Sequence, residues 1–334
     1  MRVAILFDPG SKNWDQKDVI AAVEGTRVVQ NHLRLAGHEA SVVPIRLNDW
    51  RYIAKIRQAD VVFNLCEGLD GQSRYEDWIV ATLELAGTPY TGCRPWATSV
   101  CHRKHVANTV LAAAGIPVPR FALARHNKVP SHLELPVIVK PAAEDASLGI
   151  DSGAVCTSRK SLKRRIALMA EQWESVLVQE YVAGREFNVG FIGKTMLPIS
   201  EITFENMPEG SWPILTYAGK WDEGSPEDLG SIPQCPALIP ADLAKKIEKV
   251  GRDAWELMAE SEGYGRVDIR VDSSGQPYVL EVNPNPDLSE NAGLARMGRA
   301  HGWDYGELLL QVIRETLARA APRKVGQELA EVTA

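Results

Sequence analysis

The sequence predicts an α/β protein with both parallel and antiparallel sheets, and three observations carry that expectation. Apolar strand patterns alternate with helical ones in the first part of the chain, which implies a parallel sheet with helices on its faces. From about residue 98 the alternation gives way to short β-branched strands such as Pro136-Val137-Ile138-Val139-Lys140-Pro141. Further on, Gly265-Arg266-Val267-Asp268-Ile269-Arg270 and Val279-Leu280-Glu281-Val282-Asn283-Pro284 read as two strands joined through Asp272-Ser273-Ser274-Gly275, a hairpin.

In chain order, Val3 to Phe7 is a buried strand, Val19 to Ala36 a helix closed by Gly37, and Glu39 to Pro44 a second strand. Asp60 to Leu65 is a third strand and Tyr75 to Ala86 a helix closed by Gly87. Ligands of open parallel sheets bind beyond the carboxyl ends of the strands. Those ends carry Asp8-Pro9-Gly10-Ser11-Lys12 and Cys66-Glu67-Gly68-Leu69-Asp70-Gly71, which loop punctuation explains as well. A helix from Lys104 to Ala114 stops at Gly115, because Ile116-Pro117-Val118-Pro119 must leave helical geometry. After the strand ending at Lys140 come a small-residue loop, Glu144 to Gly149, and a strand around Ser152 to Cys156. A basic, solvent-facing helix from Arg159 to Glu171 precedes the strand Val176 to Val182. Asn206 to Ser231, rich in Gly, Pro, Glu and Asp, reads as a long lid-like loop. Residues 241–262 form an amphipathic helix, Trp303 to Ala320 another, and 321–334 a disordered tail.

A chain of 334 residues that is 45% hydrophobic can bury the cores of two or three domains. Its net charge of −6 argues against a nucleic-acid partner, which usually meets a basic surface. No apolar run reaches membrane-spanning length, and the opening strand is interrupted too early by Asp8-Pro9-Gly10 for a signal peptide. The five cysteines are odd in number and scattered, as expected of reduced thiols in a cytoplasm.

Within the predicted hairpin, residues two apart share a face, so Glu281 and Asn283 project together while Leu280 and Val282 turn to the other side. The hairpin can set Asp268 beside Glu281. Three hard oxygen ligands with room for water and phosphate suit Mg²⁺ bound with a nucleotide; the two carboxylates could equally pair with nearby arginines. Lys140 closes a buried strand, from which a lysine can reach bound phosphates as a point charge. The loop that follows, Glu144-Asp145-Ala146-Ser147-Leu148-Gly149, can close its N–H groups over them, although it lacks Walker A spacing. Gln179-Glu180-Tyr181-Val182 leading into Gly184-Arg185-Glu186 suits a domain junction where backbone groups meet an adenine edge and a carboxylate takes ribose hydroxyls.

Lys104, the Val-Ile-Val-Lys-Pro strand, Gln179 to Glu186, Tyr217-Ala218-Gly219-Lys220, Gly265-Arg266-Val267-Asp268 and Glu281-Val282-Asn283-Pro284 occur in the order and approximate spacing of the ATP-grasp enzymes. The chain resembles, more narrowly, the D-alanine:D-alanine ligase branch, from residue 1 to about 320. The resemblance implies an α+β ATP-grasp fold of three domains: an N-terminal parallel α/β domain (1–97), a central subdomain (98–183) and a C-terminal catalytic domain (184–320), the latter two clamping ATP between antiparallel sheets. It implies activation of a carboxylate as an acyl phosphate, release of ADP and attack by an amine. Lys104, Lys140 and the loop with Ser147 would contact ATP phosphates, and Lys220 on the lid the γ-phosphate. Gln179 and the backbone of Glu180, Tyr181 and Val182 would hold adenine, and Glu186 the ribose. Asp268, Glu281 and Asn283 would hold two Mg²⁺ ions, with Mn²⁺ compatible with the same ligands, and Arg266 would stabilise the oxyanion. Such roles suit phosphoryl transfer, which needs charge neutralisation and alignment more than covalent catalysis. The implied partners are ATP and small amino acids or other carboxylate and amine substrates; a homodimer is compatible with the fold.

The substrate end departs from the family. Asp8 to Asp18 lacks its Ser-Glu-Arg motif, the family's loop serine aligns with Ala146, and its tyrosine after the lid lysine aligns with Trp221. The serine that binds the second substrate's carboxylate aligns with Ala292, and a glycine with Asp287. A site that leaves polar groups of D-alanine unpaired discriminates against it. Glu67, Arg74, Trp14, Trp78, Arg296 and Arg299 are candidate replacements. The sequence therefore points to a carboxylate–amine ligase acting on something other than two D-alanines. A genuine D-alanine ligase and an ATP-binding scaffold that has lost ligation are the alternatives.

Overall fold

The computed structural model describes residues 1–10, 16–124 and 129–320. The expectations for Trp14 and for the tail 321–334 lie outside the described residues. The first sheet holds β1 (Arg2–Phe7), β2 (Glu39–Pro44) and β3 (Val61–Asn64), all parallel in the order β2-β1-β3, with helices α1 (Gln16–Leu35), α2 (Tyr52–Ile56) and α3 (Glu76–Ala86) between and after them. Strand alternation splits its side chains between two cores. Ala4, Leu6 and Val62 pack with Ile56, Ile79 and Leu83, while Val3, Ile5 and Phe63 join Val29 and Leu33 in a core shared with the C-terminal end of the chain.

Two helices follow, α4 (Pro95–His102) and α5 (Lys104–Ala113), broken at Arg103, whose φ −98° and ψ 84° are not helical. The four-stranded sheet is antiparallel, in the order β4-β7-β5-β6, from β4 (Phe121–Ala124), β5 (Val137–Pro141), β6 (Val155–Cys156) and β7 (Val176–Glu180). Helix α6 (Arg159–Met169) covers it. Its basic residues Arg159, Lys160, Lys163 and Arg164 face solvent as expected, while Leu162, Ile166 and Met169 on the other side sit in the core with Val137, Val139 and Val178. Ser158 and Ser161 cap it reciprocally.

The third sheet is antiparallel and runs β11-β10-β8-β12-β13, with β9 attached to β8. Its strands are β8 (Gly184–Ile192), β9 (Thr195–Met196), β10 (Ser200–Thr203), β11 (Ile232–Gln234), β12 (Tyr264–Asp272) and β13 (Pro277–Pro284). Between β10 and β11 the expected long loop contains two short helices, α7 (Tyr217–Trp221) and α8 (Pro226–Gly230). Their starts are visible in physical terms: the hydroxyls of Thr216 and Ser225 accept from the N–H of Gly219 and Asp228 at 3.1 Å each. Helix α9 (Ala241–Ala259) ends before residue 262 because Glu260 and Ser261 turn left-handed, at φ 54° and 53°. Helices α10 (Gly293–His301) and α11 (Tyr305–Ala320) complete the chain.

One face of this sheet is apolar throughout. Phe187, Val189, Phe191, Val267 and Ile269 pack on α9 around the buried Trp255, whose ring stacks on Phe191 at 5.4 Å and whose N–H donates to Gly193 O at 2.9 Å. Only glycine fits at 265, since a Cβ there would lie 2.2 Å from the Trp255 ring. Helices α4 and α5 join the same core through Ala97, Cys101, Ala107 and Leu111. The opposite face changes character along its strands. At one end Ile192 and Tyr264 are covered by Leu294, Met297, Leu309 and Val312 of α10 and α11; at the other, polar side chains line a cleft.

Candidate active site

Strand β12 presents Arg266, Asp268 and Arg270 at every second position. Its neighbours complete the rows, with Asn188 and Glu281 paired to Asp268, Glu186 to Arg270 and Asn283 to Arg266. A register shift between Asp268 and Ile269 brings Val279, not Leu280, into the core beside Val282. The expected alternation of Leu280 and Val282 on one face fails at this bulge, while Glu281 and Asn283 stay on the cleft side.

Asp268 is the centre of the row. Arg266 donates to both its oxygens, Nε at 2.6 Å and Nη2 at 2.8 Å, and Asn188 Nδ2 and Asn283 Nδ2 donate at 2.7 and 2.9 Å. Burial pushes its carboxyl pKa up, Arg266 pulls it back, and the neighbouring Glu281 and Glu186 add to the rise. Asn283 Nδ2 also lies 3.4 Å from Glu281 Oε1. Two carboxylates and an amide, whose oxygen can be presented by a half-turn, thus form a hard-oxygen set of the kind Mg²⁺ takes.

Two buried lysines face this set. Lys104, the first residue of α5, places Nζ 2.7 Å from Asp145 Oδ1 and 3.1 Å from Glu281 Oε2. Burial opposes its charge, but Asp145 and Glu281 outweigh burial and raise its pKa. Glu281 answers in kind: burial works against ionisation, Lys104 and Lys140 prevail, and its pKa falls to about 2. Lys140 is buried at the end of β5, and burial lowers its pKa, with Glu281 opposing and Lys104 reinforcing the shift. Lys104, Lys140, Asp145, Ser147 and Glu281 line one small cavity. Above it, Ala146 and Ser147 both hold positive φ, 57° and 59°, a tight loop onto which the lid docks. Trp221 Nε1 donates to Ala146 O and Tyr217 N to Ile150 O, each at 2.9 Å. Lys220, with Nζ 5.0 Å from the Trp221 ring centre, has its pKa lowered by burial and by Arg266, against the pull of Glu67, Asp287 and Asp268.

At the far end of the cleft Gln179 is completely buried, and neither Oε1 nor Nε2 finds a partner among the described residues. The neighbouring backbone is partly spent, since the N–H groups of Glu180 and Tyr181 donate to Arg120 O at 2.8 Å and Pro136 O at 3.0 Å. The carboxylate of Glu180 accepts from Glu134 N at 2.9 Å. Glu186 Oε2 is held by Arg270, Nε at 3.1 Å and Nη2 at 2.8 Å. The same guanidinium reaches Tyr181 OH at 3.0 Å, Val182 O at 3.2 Å and the carbonyl of Pro213, tying β8, β12, the junction and the lid together.

The candidate substrate residues divide. Glu67 is exposed to solvent, yet close enough to Asp287, Lys220 and Asp145 to interact with their charges. Desolvation, then Asp287, pushes its pKa up to about 7, Lys220 opposes and Asp145 adds to the rise. Asp287 is half-buried and accepts from Ser289, N at 2.8 Å and Oγ at 3.0 Å. Ala292 is the residue before α10, and Gly293 beside it approaches Arg266 Nη1, which an added Cβ would meet at 3.9 Å. Arg296 and Arg299 donate to the carbonyls of Asn291 and Glu290 at 2.9 and 2.8 Å and so brace that turn. Trp78 is 62% exposed and Arg74 lies over the ring of Tyr75; neither enters the lysine cavity. A wider groove of about 500 Å³ at the sheet edge is lined by Arg185, Glu201, Phe204 and Leu238, away from the lysines.

Sequence reasoning did not single out Asn188, Arg270 or Asp145. The first two sit at even positions on β8 and β12, so extending the period-2 argument from Asp268 along β12 and across to β8 would have found them. Asp145 carries no such signal, because its partner Lys104 is 41 residues away on another element.

The family model for the D-ala D-ala ligase C-terminus matches residues 110–314. The chain is 31% identical over 258 residues to the uncharacterized protein y4sG of Sinorhizobium fredii, covering 76% of this chain and 73% of that one. It is 29% identical over 295 residues to the D-alanine–D-alanine ligase of Bordetella avium (86% and 87% covered), and 27% identical over 330 residues to that of Thermotoga maritima (97% and 100%). The crystal structure of the Bacillus anthracis D-alanine–D-alanine ligase complexed with ATP superposes with a TM-score of 0.75 at 22% identity, covering 96% of this chain and 98% of that one. Together with the two sheets that enclose the lysine cavity, these likenesses place the chain in the D-alanine–D-alanine ligase family of ATP-grasp carbon–nitrogen ligases.

Proposed function

We propose that the protein joins a carboxylate to an amine at the expense of ATP, through an acyl phosphate and with release of ADP and phosphate, and that its substrates are not two D-alanines. The observation that supports this best is the convergence of Lys104, Lys140, Lys220 and Arg266 with Asp268, Glu281 and Asn283 around one cleft. Two features of the cleft fit ATP. The orphaned amide of Gln179 can accept from an adenine amino group and donate to a ring nitrogen, and the cavity between Lys104 and Lys140 suits a phosphate. Mg²⁺, two ions in our reading, would sit on Asp268, Glu281 and Asn283 and neutralise the charge of the transferred phosphoryl group. Lys104 and Lys140 hold and align phosphate oxygens, Lys220 comes from the lid to the γ-phosphate, and the loop at Ser147 excludes water. Arg266, braced by Asp268, keeps Nη1 toward the start of α10, where an oxyanion would develop. Glu186, oriented by Arg270, takes the ribose. We divide the chain into units of 1–97, 98–183 and 184–320 on this basis, and place it in the cytoplasm; no helix among the described residues is long and apolar enough to cross a membrane.

The names of the Bordetella and Thermotoga relatives favour a second reading, D-alanine ligation itself. Against it stand Ala146, whose carbonyl is bonded to Trp221, and Ala292, whose methyl cannot bind a carboxylate. Asp287, joined by Glu67 above about pH 7, makes this end of the cleft anionic, which suits a substrate with an extra amine. Comparing kcat/KM for D-alanine with a panel of L- and D-amino acids, singly and in pairs, decides between the readings. D-alanine as the poorest of the accepted substrates supports ours; D-alanyl-D-alanine as the fastest product restores the other.

A further inference from the structure

Behind the phosphate end of the cleft three side chains from three elements meet. Glu76 begins α3, His102 ends α4 and Asp145 lies in the loop after β5, and one ligand atom from each falls within 4.8 Å of the others. His102 is 6% exposed, and neither of its ring nitrogens makes a hydrogen bond among the described residues. Its Nδ1 stands 3.5 Å from Asp145 Oδ2. Glu76 is 7% exposed and, among the described residues, its side chain has a long contact of 3.4 Å from Asn285 Nδ2 to its Oε1. A buried imidazole whose Nε2 has no hydrogen-bond partner among the described residues and whose Nδ1 has only a long 3.5 Å contact to Asp145, beside a second buried carboxylate, is costly for a protein to keep unless something occupies the space between them.

We propose that Glu76, His102 and Asp145 form a second cation site, separate from Asp268, Glu281 and Asn283, for a divalent ion that accepts imidazole, such as Zn²⁺ or Mn²⁺. The donor set separates the two sites chemically. Asp268, Glu281 and Asn283 offer oxygen alone, which suits Mg²⁺, whereas one nitrogen and two carboxylates favour a transition metal. Asp145 has the geometry to serve both neighbours, since its Oδ1 stays with Lys104 at 2.7 Å while Oδ2 faces His102. The ion offsets the negative charge that Asp145 and Glu67 place beside the buried carboxylate of Glu76. It also ties the loop of residues 144–149 to α3 and α4, so that its occupancy sets where the loop rests.

The test needs neither ATP nor turnover. The full chain, freed of metal and then held in excess Mg²⁺ to fill the oxygen-only ligands, is titrated with Co²⁺ and followed by visible absorption, and with Zn²⁺ by calorimetry. One equivalent should bind in the wild type. His102→Gln and Glu76→Gln should each weaken it by more than the ~10–100-fold typical of losing an outer partner, with circular dichroism showing that both variants fold. Should one variant not fold, the other decides. Binding that is equal in the wild type and the folded variants, or that Mg²⁺ displaces at equal concentration, overturns the site.

Discussion

Lys104 Nζ lies 2.7 Å from Asp145 Oδ1, so a lysine placed to bind phosphate is held by a carboxylate from the very loop that lies over the phosphate cavity. A phosphate that binds Lys104 must share or displace that carboxylate. Asp145 is 41% exposed, and a pair of this kind is worth about 1 kcal/mol. Asp145→Asn should therefore tighten ATP binding by about five-fold, as read by calorimetry in Mg²⁺. Unchanged or weaker binding would show that Asp145 assists the nucleotide instead of competing with it.

Gln179 makes an opposite pair of demands on stability and binding. Its amide is buried with both polar atoms unpartnered, and each such atom costs about 1–3 kcal/mol. Gln179→Met should leave the melting temperature unchanged or higher while weakening ATP at least about ten-fold. A variant that melts lower and still binds ATP normally would mean that Gln179 serves the fold alone.

Arg270 is 3% exposed and supplies the bonds that hold Glu186, Tyr181, Val182 and Pro213. Arg270→Met leaves a buried carboxylate without its cation, a loss of about 3–5 kcal/mol. Urea denaturation measures it directly. A loss below about 1 kcal/mol would contradict the account of how the junction is held.

Glu67 carries the pH dependence. Its pKa is raised to about 7, so the group is protonated below that pH and anionic above it. If the anionic form attracts an amine-bearing substrate, kcat/KM should rise as pH rises through about 7. Under saturating substrate the bound cation favours the anion, so the corresponding step in kcat moves to lower pH. Glu67→Gln should remove the step; a profile with the same inflection in that variant assigns it to another group.

Much of this architecture is legible in the chain. The βαβ opening, the strand that ends in Lys140 and the hairpin of Asp268 and Glu281 follow from strong local patterns, and the structure places each of them as an element. What local pattern misses is set by partners distant in sequence. The lid helices rest on single hydroxyl caps at Thr216 and Ser225, which a Gly- and Pro-rich composition conceals. The bulge at Leu280 breaks a period that alternation alone would continue. In the cleft, the lysines and the oxygen ligands stand out by residue type and position, whereas Asp145 and Arg270 acquire their place only through pairing across elements. The substrate end is the least legible part, because Glu67, Trp221 and Asp287 come from three loops or short elements whose meeting no periodicity encodes.

The most direct test of the central claim is a product analysis of the protein incubated with ATP, Mg²⁺ and pooled amino acids, read by mass spectrometry. Activation through an acyl phosphate predicts ADP and phosphate in equal amounts with a new amide, all of it lost in Glu281→Gln. AMP and pyrophosphate, or an amide formed without nucleotide cleavage, would contradict it.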